Sequence, residues 1–423
     1  MVVQIGVAVA EVWFVARVGI DALAGIALVI PFIILMMNMA NGGMGGGIAS
    51  ALARALGAGR HDDAKAMLLH ALVLAAACGL VFAAFAWTAL PDVLRWLGGS
   101  GEVLNQALAF SHVWFSGGVV LWLVAFLSAL LRGGGNAATP GRIGIAMSLA
   151  YIPLLGVLTL GLGDWPGLGL VGGAIAPLVT GVAGVALLAR AVARGRLGFV
   201  PSFKGVRLQP RLFADILRVG AMGSVSTVTA TLTAMLVTGL VARFGTAALA
   251  GYSIGMRLEF MVAPLAFGVG TGATTLVGVA AGAGDWRRAV RAAWTAGLVA
   301  GGAIGLIGWT VALMPETWSR LFASDPNVVA ASIDCIVRVA PFYCLFGLGL
   351  TLNFASQGAG RMSVPVLASV ARLVIAAGGG WLAITLGLGL NGVFSAIAAS
   401  LVVYGGLIAG ALLLLLPWQA RRR

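Results

Sequence analysis

A single acidic residue, Glu11, lies within the first apolar stretch of the chain, VVQIGVAVAEVWFVARVG. If this stretch crosses a membrane as a helix, Glu11 lies about seven residues before its end, or roughly 10 Å deep at about 1.5 Å per residue. A charged side chain near the bilayer centre costs on the order of 3 kcal/mol, so its presence needs an explanation. Glu11 is our leading candidate for an ion-coupling residue that binds a proton or a sodium ion. The alternative is a neutral carboxyl group that hydrogen-bonds to a neighbour and serves only packing.

The second half of the chain has its own charged residues within apolar stretches. Arg257 and Glu259 lie in SIGMRLEFMVAP, and residues two apart on a helix lie on different faces, so we expect each to find a partner elsewhere. Arg372 is a candidate partner for Glu259. Glu259 is a second candidate ion-coupling residue, with a structural ion pair as an equally good interpretation. Asp334 and Arg338, four residues apart, are expected to form an ordinary pair on a helix surface.

Six uncharged polar residues complete the set of candidates for a substrate cleft. These are Asn38, Asn41, His112, Tyr252, Asn353 and Gln357. Each can line a water-filled cleft, but a hydrogen bond between helices explains any one of them equally well. A histidine in such a position, as His112, is more often a buried residue with its hydrogen bonds satisfied than a proton relay.

The sequence offers no constellation for catalysis, a metal or an organic cofactor. His61, His70 and His112 are not in a metal-binding spacing, and Lys65 and Lys204 do not follow a phosphate-binding glycine loop. The three cysteines have no CxxC spacing, which favours small core residues over ligands or a redox pair. We therefore predict no catalytic residues, no metal site and no cofactor beyond a coupling ion.

The sequence predicts that these residues lie on membrane-spanning helices. The chain is 61% hydrophobic and 9% charged, which excludes an ordinary soluble globular protein. Apolar runs of about 20 residues recur along it, each long enough to cross a hydrocarbon layer of about 30 Å. They predict an all-α polytopic membrane protein with about twelve spans, at residues 1–18, 22–52, 64–90, 104–131, 141–162, 168–193, 213–242, 247–279, 288–314, 329–356, 363–387 and 391–417.

The net charge of +13 is distributed unequally between the two predicted faces of the membrane. Among the basic residues at or beyond the ends of the spans, only Arg17, Arg95, Arg243 and Arg320 fall on one face, and the others fall on the opposite face. This bias places both termini in the cytoplasm and the protein in the plasma (inner) membrane. It also argues against a nucleic-acid partner, because no basic cluster lies on a soluble domain.

An internal repeat divides the chain into two similar halves. VARVGIDALAG (15–25) returns as VARFGTAALAG (241–251), and ALGAGRHDDAKA (55–66) resembles AAGAGDWRRAV (280–290). Two weaker pairs follow at a similar offset. The repeat predicts six-helix lobes at 1–195 and 212–423, joined by a basic cytoplasmic linker at 196–211. An even number of helices gives parallel lobes, and such lobes can rock around a shared cleft in alternating access.

The repeat also bears on the start of the chain. At the offset of the opening phrase, Met1 corresponds to Thr227, which lies inside the seventh predicted span. We therefore expect the first helix to be truncated and the recorded start to lie within it.

Taken together, these motifs resemble those of the multidrug and toxic compound extrusion (MATE) transporters of prokaryotic type. The resemblance rests on the paired phrases ending in ALAG, the paired GAG motifs, GYSIGMRLEF (251–260) and the stretch GAGRMSVP (358–365). It implies two six-helix bundles that export organic, often cationic, compounds by antiport with protons or sodium ions. Many such transporters have an ion-binding acid in helix 1, where Glu11 stands in place of Asp. Others use a Glu in helix 7, and residues 220–240 here contain no acid.

Three functions remain open from the sequence. The first is an ion-coupled exporter of small organic compounds, expected to be monomeric and to contact membrane lipids. The second is a flippase for lipid-linked oligosaccharides of the same superfamily, for which the few buried arginines are a poor fit. The third is a membrane scaffold or sensor that transports nothing. Loss of dye export in a Glu11→Gln variant separates a transporter from a scaffold.

Overall fold

The structure, a computed structural model, describes residues 2–199 and 207–414. The middle of the predicted linker, with Lys204, and the basic tail Arg421 to Arg423 lie outside the described residues, as does Met1. The described chain is all-helical and contains no strand, because a chain in hydrocarbon must satisfy its backbone hydrogen bonds internally.

The helices are α1 (Val2–Val18), α2 (Ile20–Asn38), α3 (Gly45–Gly57), α4 (His61–Thr88), α5 (Leu90–Trp96), α6 (Gly101–Ser116), α7 (Gly118–Gly133), α8 (Ala138–Leu160), α9 (Leu170–Ala193), α10 (Pro210–Ala242), α11 (Thr246–Gly282), α12 (Trp286–Leu313), α13 (Pro315–Arg320), α14 (Pro326–Val339), α15 (Tyr343–Gly358), α16 (Ser363–Leu373), α17 (Gly379–Thr385) and α18 (Gly389–Leu413). Short π-helical or 3₁₀ segments, Met39–Met44, Ala340–Phe342 and Val374–Gly378, join α2 to α3, α14 to α15 and α16 to α17.

The predicted spans coincide with these helices. Within the described residues, ten continuous or joined helices are long and apolar enough to cross a membrane, and the bent pair α6 and α7 raises the number to eleven. The remaining predicted span coincides with α1, which has 17 residues. The prediction of an all-α polytopic membrane protein is therefore confirmed. The bend of 46° between α6 and α7 lies at Gly117, the single residue between the two helices.

Close packing groups the chain into two compact units. Unit 1 comprises Met1–Asn41 and His61–Ala214, and unit 2 comprises Gly42–Arg60 and Asp215–Arg423. The lobes 1–195 and 212–423 were predicted from sequence similarity and not from packing, so their boundaries stay a prediction.

Unit 1 is a bundle in which α8 packs against α1 and α9, and α9 packs in turn against α6 and α7. Helix α4 contacts α6 and α7, and α2 contacts α6. The interior is filled by large side chains that are almost fully buried, among them Phe110, Phe115, Trp122 and Phe126. Aromatic rings of this size bury more apolar surface than any other residues, so they dominate the packing of this unit.

Unit 2 is organised around α11, which contacts α3, α12, α14 and α15. Helix α15 also packs against α12 and α18, and α18 covers α14, α16 and α17. One buried apolar cluster includes Val237, Leu258 and Phe394. A second includes Val277 and Leu352. The two clusters lie at different levels of α11, so this long helix is buried along most of its length.

The repeated GAG motifs have one backbone function in both halves. Gly59 and Gly284, the last glycine of each motif, have φ angles of 69° and 77°. This left-handed region is readily accessible to glycine and strained for other residues. Each motif therefore ends one long helix, α3 or α11, and turns the chain into the next.

The start of α10 is fastened to α4 within unit 1. The backbone N–H of Gln209 donates to Nε2 of the fully buried His70 at 2.9 Å, and Nδ1 of His70 lies 2.8 Å from the carbonyl of Ala66. Nε2 therefore accepts and Nδ1 donates. Arg211 also pairs with Asp63 at 2.7 Å. His70 is thus a satisfied buried histidine that holds the end of the predicted linker.

The crossing of α3 and α11 depends on glycine. Gly278 and Gly282 form a GxxxG motif on α11, and a Cβ on Gly278 would lie 2.7 Å from the Cβ of Ala53. A Cβ on Gly57 would overlap the backbone carbonyl of Val279. Small residues at this spacing let helix backbones approach closely when lipid provides no hydrophobic drive.

We expect Gly57→Ala to lower stability by about 1–3 kcal/mol, because the added methyl group meets backbone that cannot move aside without separating α3 from α11. The matched control is Gly302→Ala in α12, where a Cβ would have no atom within 4 Å. That change should be neutral or slightly stabilising. Thermal unfolding of the purified variants in detergent measures both. Equal midpoints would show that the crossing tolerates wider spacing.

Candidate functional site

The candidate site in unit 1 is built on α1, which is helical without interruption on both sides of Glu11. The Glu11 side chain is half-buried, and the hydroxyl of Tyr151 on α8 donates to its Oε1 at 2.7 Å. This is the only side-chain hydrogen bond that Glu11 makes among the described residues. An acid with one neutral donor beside it has no compensating cation, which is costly for a permanently charged carboxylate in this position.

Close packing of α1 on α8 brings these two groups together. Phe14, one turn along α1 from Glu11, occupies the space left by Gly156, where a Cβ would lie 2.7 Å from the Phe14 ring. Tyr151 and Leu155 are buried in the same apolar cluster, against which Phe14 packs. The Tyr151 hydroxyl is therefore held in place by its ring, and its proton is directed at the carboxylate.

Sequence reasoning did not identify Tyr151. The sequence did carry a usable signal, because it has only four tyrosines, and Tyr151 lies in an apolar run where burial is expected. All four tyrosines are buried in the structure. A buried tyrosine normally seeks a partner for its hydroxyl. Tyr151 lies 140 positions from Glu11, so the sequence could indicate that it has a partner but not which one.

Unit 2 contains the predicted pair between Glu259 and Arg372. An Nη2 of Arg372 donates to Oε1 of Glu259 at 3.1 Å, and both side chains are 14% exposed. The Arg372 guanidinium also lies over the rings of Phe346 and Tyr404, 5.1 and 5.7 Å from their centroids. Asn353 donates to the Tyr404 hydroxyl at 3.2 Å. The expectation that Arg372 is the partner of Glu259 is confirmed.

Arg257 points away from this pair. It is exposed, and its guanidinium lies 4.8 Å from the centroid of the Phe322 ring, in a cation–π contact. This agrees with the expectation that Arg257 and Glu259 do not pair with each other. Asp334 and Arg338 form the predicted pair one helical turn apart, at 3.0 Å.

Gln357 connects α15 to the segment that leads into α3. Its side-chain amide donates to the backbone carbonyls of Gly42 and Gly43 at 2.9 and 3.2 Å. The Ser50 hydroxyl donates to the backbone carbonyl of Gln357. A Cβ on Gly46 would overlap the Gln357 amide. These bonds hold two helices together, which is the packing alternative considered from the sequence.

Of the other predicted cleft residues, Asn38 and Asn41 form no hydrogen bond with these clusters among the described residues. Asn41 donates to the Met37 carbonyl of its own helix at 2.9 Å, and Asn38 is exposed. Tyr252 is buried and stacks on Phe394, with ring centroids 6.2 Å apart. It lies near the pair of Glu259 and Arg372, since both charges interact electrostatically with its hydroxyl.

His112 does not have the satisfied environment that we expected. Its ring stacks on Trp87, with centroids 4.0 Å apart and planes 3° from parallel. Its Nε2 is buried and has no hydrogen-bond partner among the described residues. Trp87 donates its own N–H to Ser116. The stack fixes the histidine ring by apolar contact, which sequence spacing does not report.

Two chemically different sites result. In unit 1 an acid meets a neutral hydroxyl, and no cation of the described part of the chain balances its charge. In unit 2 an acid meets a guanidinium, so its charge is balanced. An uncompensated acid in a membrane helix is a typical site for an ion or proton pathway. The compensated pair is typical of a structural connection between helices.

Comparisons with known proteins agree with this architecture. The family model described as MatE matches residues 1–156 and 224–382. "Probable multidrug resistance protein NorM" of Deinococcus radiodurans is 32% identical over 390 residues, which cover 87% of this chain and 80% of that protein. The protein of the same name in Thermotoga maritima is 25% identical over 384 residues, covering 86% and 78%.

The fold is also that of solved structures. A crystal structure of MATE in the straight conformation superposes with a TM-score of 0.88 at 22% identity, covering 98% of this chain and 93% of that one. At this identity the likeness shows the fold alone. The family model, which spans most of the chain in both halves, shows that the chain belongs to the MatE family of multidrug and toxic compound extrusion transporters.

Proposed function

We propose that this protein exports small organic compounds, often cationic and amphipathic, in antiport with protons. The observation that carries the proposal is the half-buried Glu11, whose carboxylate meets one neutral hydroxyl, that of Tyr151, and no cation among the described residues. Membership of the MatE family and the names of the multidrug-resistance relatives support the choice of substrate class.

The surroundings of Glu11 favour a proton over a sodium ion. A bound metal cation needs several oxygen ligands, and transporters supply them largely from carbonyls of unwound helices. Helix α1 is continuous through Glu11, so its carbonyls are committed to the helical ladder. A proton needs only the carboxyl oxygen itself, and the Tyr151 hydroxyl can hydrogen-bond to the other oxygen in either state.

Coupling then follows from linkage between two binding events. If a protonated Glu11 and a bound substrate favour opposite orientations of the transporter, each lowers the affinity for the other by the same factor. Proton entry down its gradient therefore drives substrate out. In this cycle Tyr151 holds the Glu11 carboxylate in one geometry. Protonation of the carboxylate then changes the packing of the helices around Glu11.

Glu259 has a different role in this proposal. Its pairing with Arg372 at 3.1 Å supports a structural connection between α11 and α16, because removing either charge would leave the other uncompensated. Asn353 and Tyr404 extend this connection to α15 and α18. We assign coupling to Glu11 alone.

Gradient-driven transport in proteoliposomes tests the function directly. We expect a pH gradient at equal sodium to drive accumulation of an ethidium-like cationic dye, and a sodium gradient at equal pH to drive none. Protein-free liposomes are the control. Transport driven by sodium alone would contradict proton coupling, and the absence of any driven flux would favour a scaffold or sensor.

The flippase alternative is less well supported, since the family match and the named relatives point to multidrug efflux. A plasma (inner) membrane location with both termini in the cytoplasm, and a monomeric state, complete the proposal. Cysteine labelling from each side of the membrane tests the orientation.

A further inference from the structure

A group of arginines projects from the first turns of α12. Arg287, Arg288 and Arg291 are all exposed. Arg361, from the loop between α15 and α16, places its guanidinium 5.3 Å from the centroid of the Trp286 ring. All of these residues belong to unit 2. We call Arg287, Arg288 and Arg291 the arginine patch.

The charge of the arginine patch is not balanced by acids of the described chain. Within the described ranges, none of its three residues forms an ion pair. The adjacent acid, Asp285, caps α12 by accepting from the Arg288 backbone N–H at 2.9 Å. Three guanidinium groups therefore present most of their donors outward, where they can bind an anion.

The equivalent position in the first half of the repeat is compensated. There Lys65 pairs with Asp62 at 3.4 Å, and Arg211 pairs with Asp63 at 2.7 Å. Both loops follow a GAG motif and lead into a long apolar helix, so they occupy the same place in their repeats. A general preference for basic residues at one face would act on both loops. The unbalanced charge is specific to the second.

The same face of α12 continues as an exposed apolar surface. Leu298, Leu306 and Trp309 are 61%, 72% and 52% exposed, while the opposite face, with Ala293 and Ile304, is buried. Leu298 follows Arg291 by two helical turns on this face, about 10 Å along the axis. The helix thus presents a cationic end directly continuous with an exposed apolar stripe, formed by Leu298, Leu306 and Trp309.

We propose that the arginine patch and the apolar stripe form a binding site for an anionic phospholipid. The phosphate headgroup would accept hydrogen bonds from Arg287, Arg288 and Arg291, and the acyl chains would lie along Leu298 and Leu306. Basic residues at the membrane edge attract anionic headgroups, and guanidinium groups match phosphate oxygens in geometry. The site does not depend on the function proposed above.

Native mass spectrometry of the full-length protein in detergent tests this site. The probes are palmitoyl-oleoyl phosphatidylglycerol and its zwitterionic counterpart phosphatidylcholine. The wild type should bind phosphatidylglycerol in preference, and R287Q/R288Q/R291Q should weaken that binding by about a hundredfold, at roughly fivefold per arginine. Glycerol phosphate, which has no acyl chains, should compete poorly.

The control variant removes three arginines from the ends of other helices, R95Q/R243Q/R320Q, and should bind phosphatidylglycerol like the wild type. Thermal midpoints show whether either variant is misfolded. Equal loss in both variants would reduce the effect to overall charge and overturn the proposal. So would equal binding of the two lipids, or full competition by glycerol phosphate.

Discussion

Glu11→Gln is expected to abolish pH-driven dye export in proteoliposomes, to the level of protein-free vesicles. Glutamine keeps the size of the side chain and can still accept from the Tyr151 hydroxyl, whose distance to Glu11 is 2.7 Å. It cannot release or bind a proton at the carboxyl oxygen. The variant therefore separates titration from packing. Fluorescent-dye transport under an imposed pH gradient measures the effect.

Three controls identify what is lost. Tyr151→Phe removes only the hydroxyl and should reduce transport less than Glu11→Gln. Glu316→Gln neutralises an acid that pairs with Arg320 at 2.7 Å on the protein surface, and it should transport normally. Dye binding without a gradient should persist in Glu11→Gln. If this variant still exported dye at the wild-type rate under a pH gradient, the assignment of coupling to Glu11 would be wrong.

Breaking the pair between Glu259 and Arg372 is expected to cause the largest loss of stability. Glu259→Gln leaves the Arg372 guanidinium buried without its counter-charge, and removal of one partner from a buried pair costs about 3–5 kcal/mol. The cost arises because the remaining charge cannot return to water without disrupting the packing on Phe346 and Tyr404. A large fall in the thermal midpoint in detergent measures it.

A double variant makes this prediction specific. Replacing both charges, as in Glu259→Gln with Arg372→Met, should recover most of the midpoint, since no uncompensated charge remains. Asp334→Asn breaks an ion pair whose side chains are 33% and 45% exposed and should cost less than about 1 kcal/mol. A stable Glu259→Gln variant that no longer transports would instead assign coupling to Glu259.

The helices and their order along the chain were largely predictable from the sequence. The twelve apolar runs, the repeat and its GAG turns predicted the helices and their order, and the structure confirmed them. The breaks within spans were not predicted. The Met39–Met44 π-segment and the bend at Gly117 leave the average hydropathy of a run unchanged, so they have no signal in an apolar pattern.

The candidate site was predictable only in part. An acid in an apolar helix is visible in any sequence, and Glu11 and Glu259 were identified in that way. Their different roles were not, because the role depends on which residue each one meets. Tyr151 has no charge and lies 140 positions from Glu11, whereas Arg372 lies 113 positions from Glu259 and could be proposed from its charge alone.

The sequence alone indicates that this protein lies in a membrane, that it is helical and that it contains an internal repeat. Helices follow because hydrocarbon leaves a spanning chain few other structures. The contacts between helices became known from the three-dimensional structure. Gly42–Arg60 joins unit 2 although it continues the chain from α2, since glycines on α3 and α11 permit a close crossing there. The lipid requires apolar residues along each span, and hydropathy reports this requirement. Helix contacts depend on side-chain shape and helix rotation, which hydropathy does not encode.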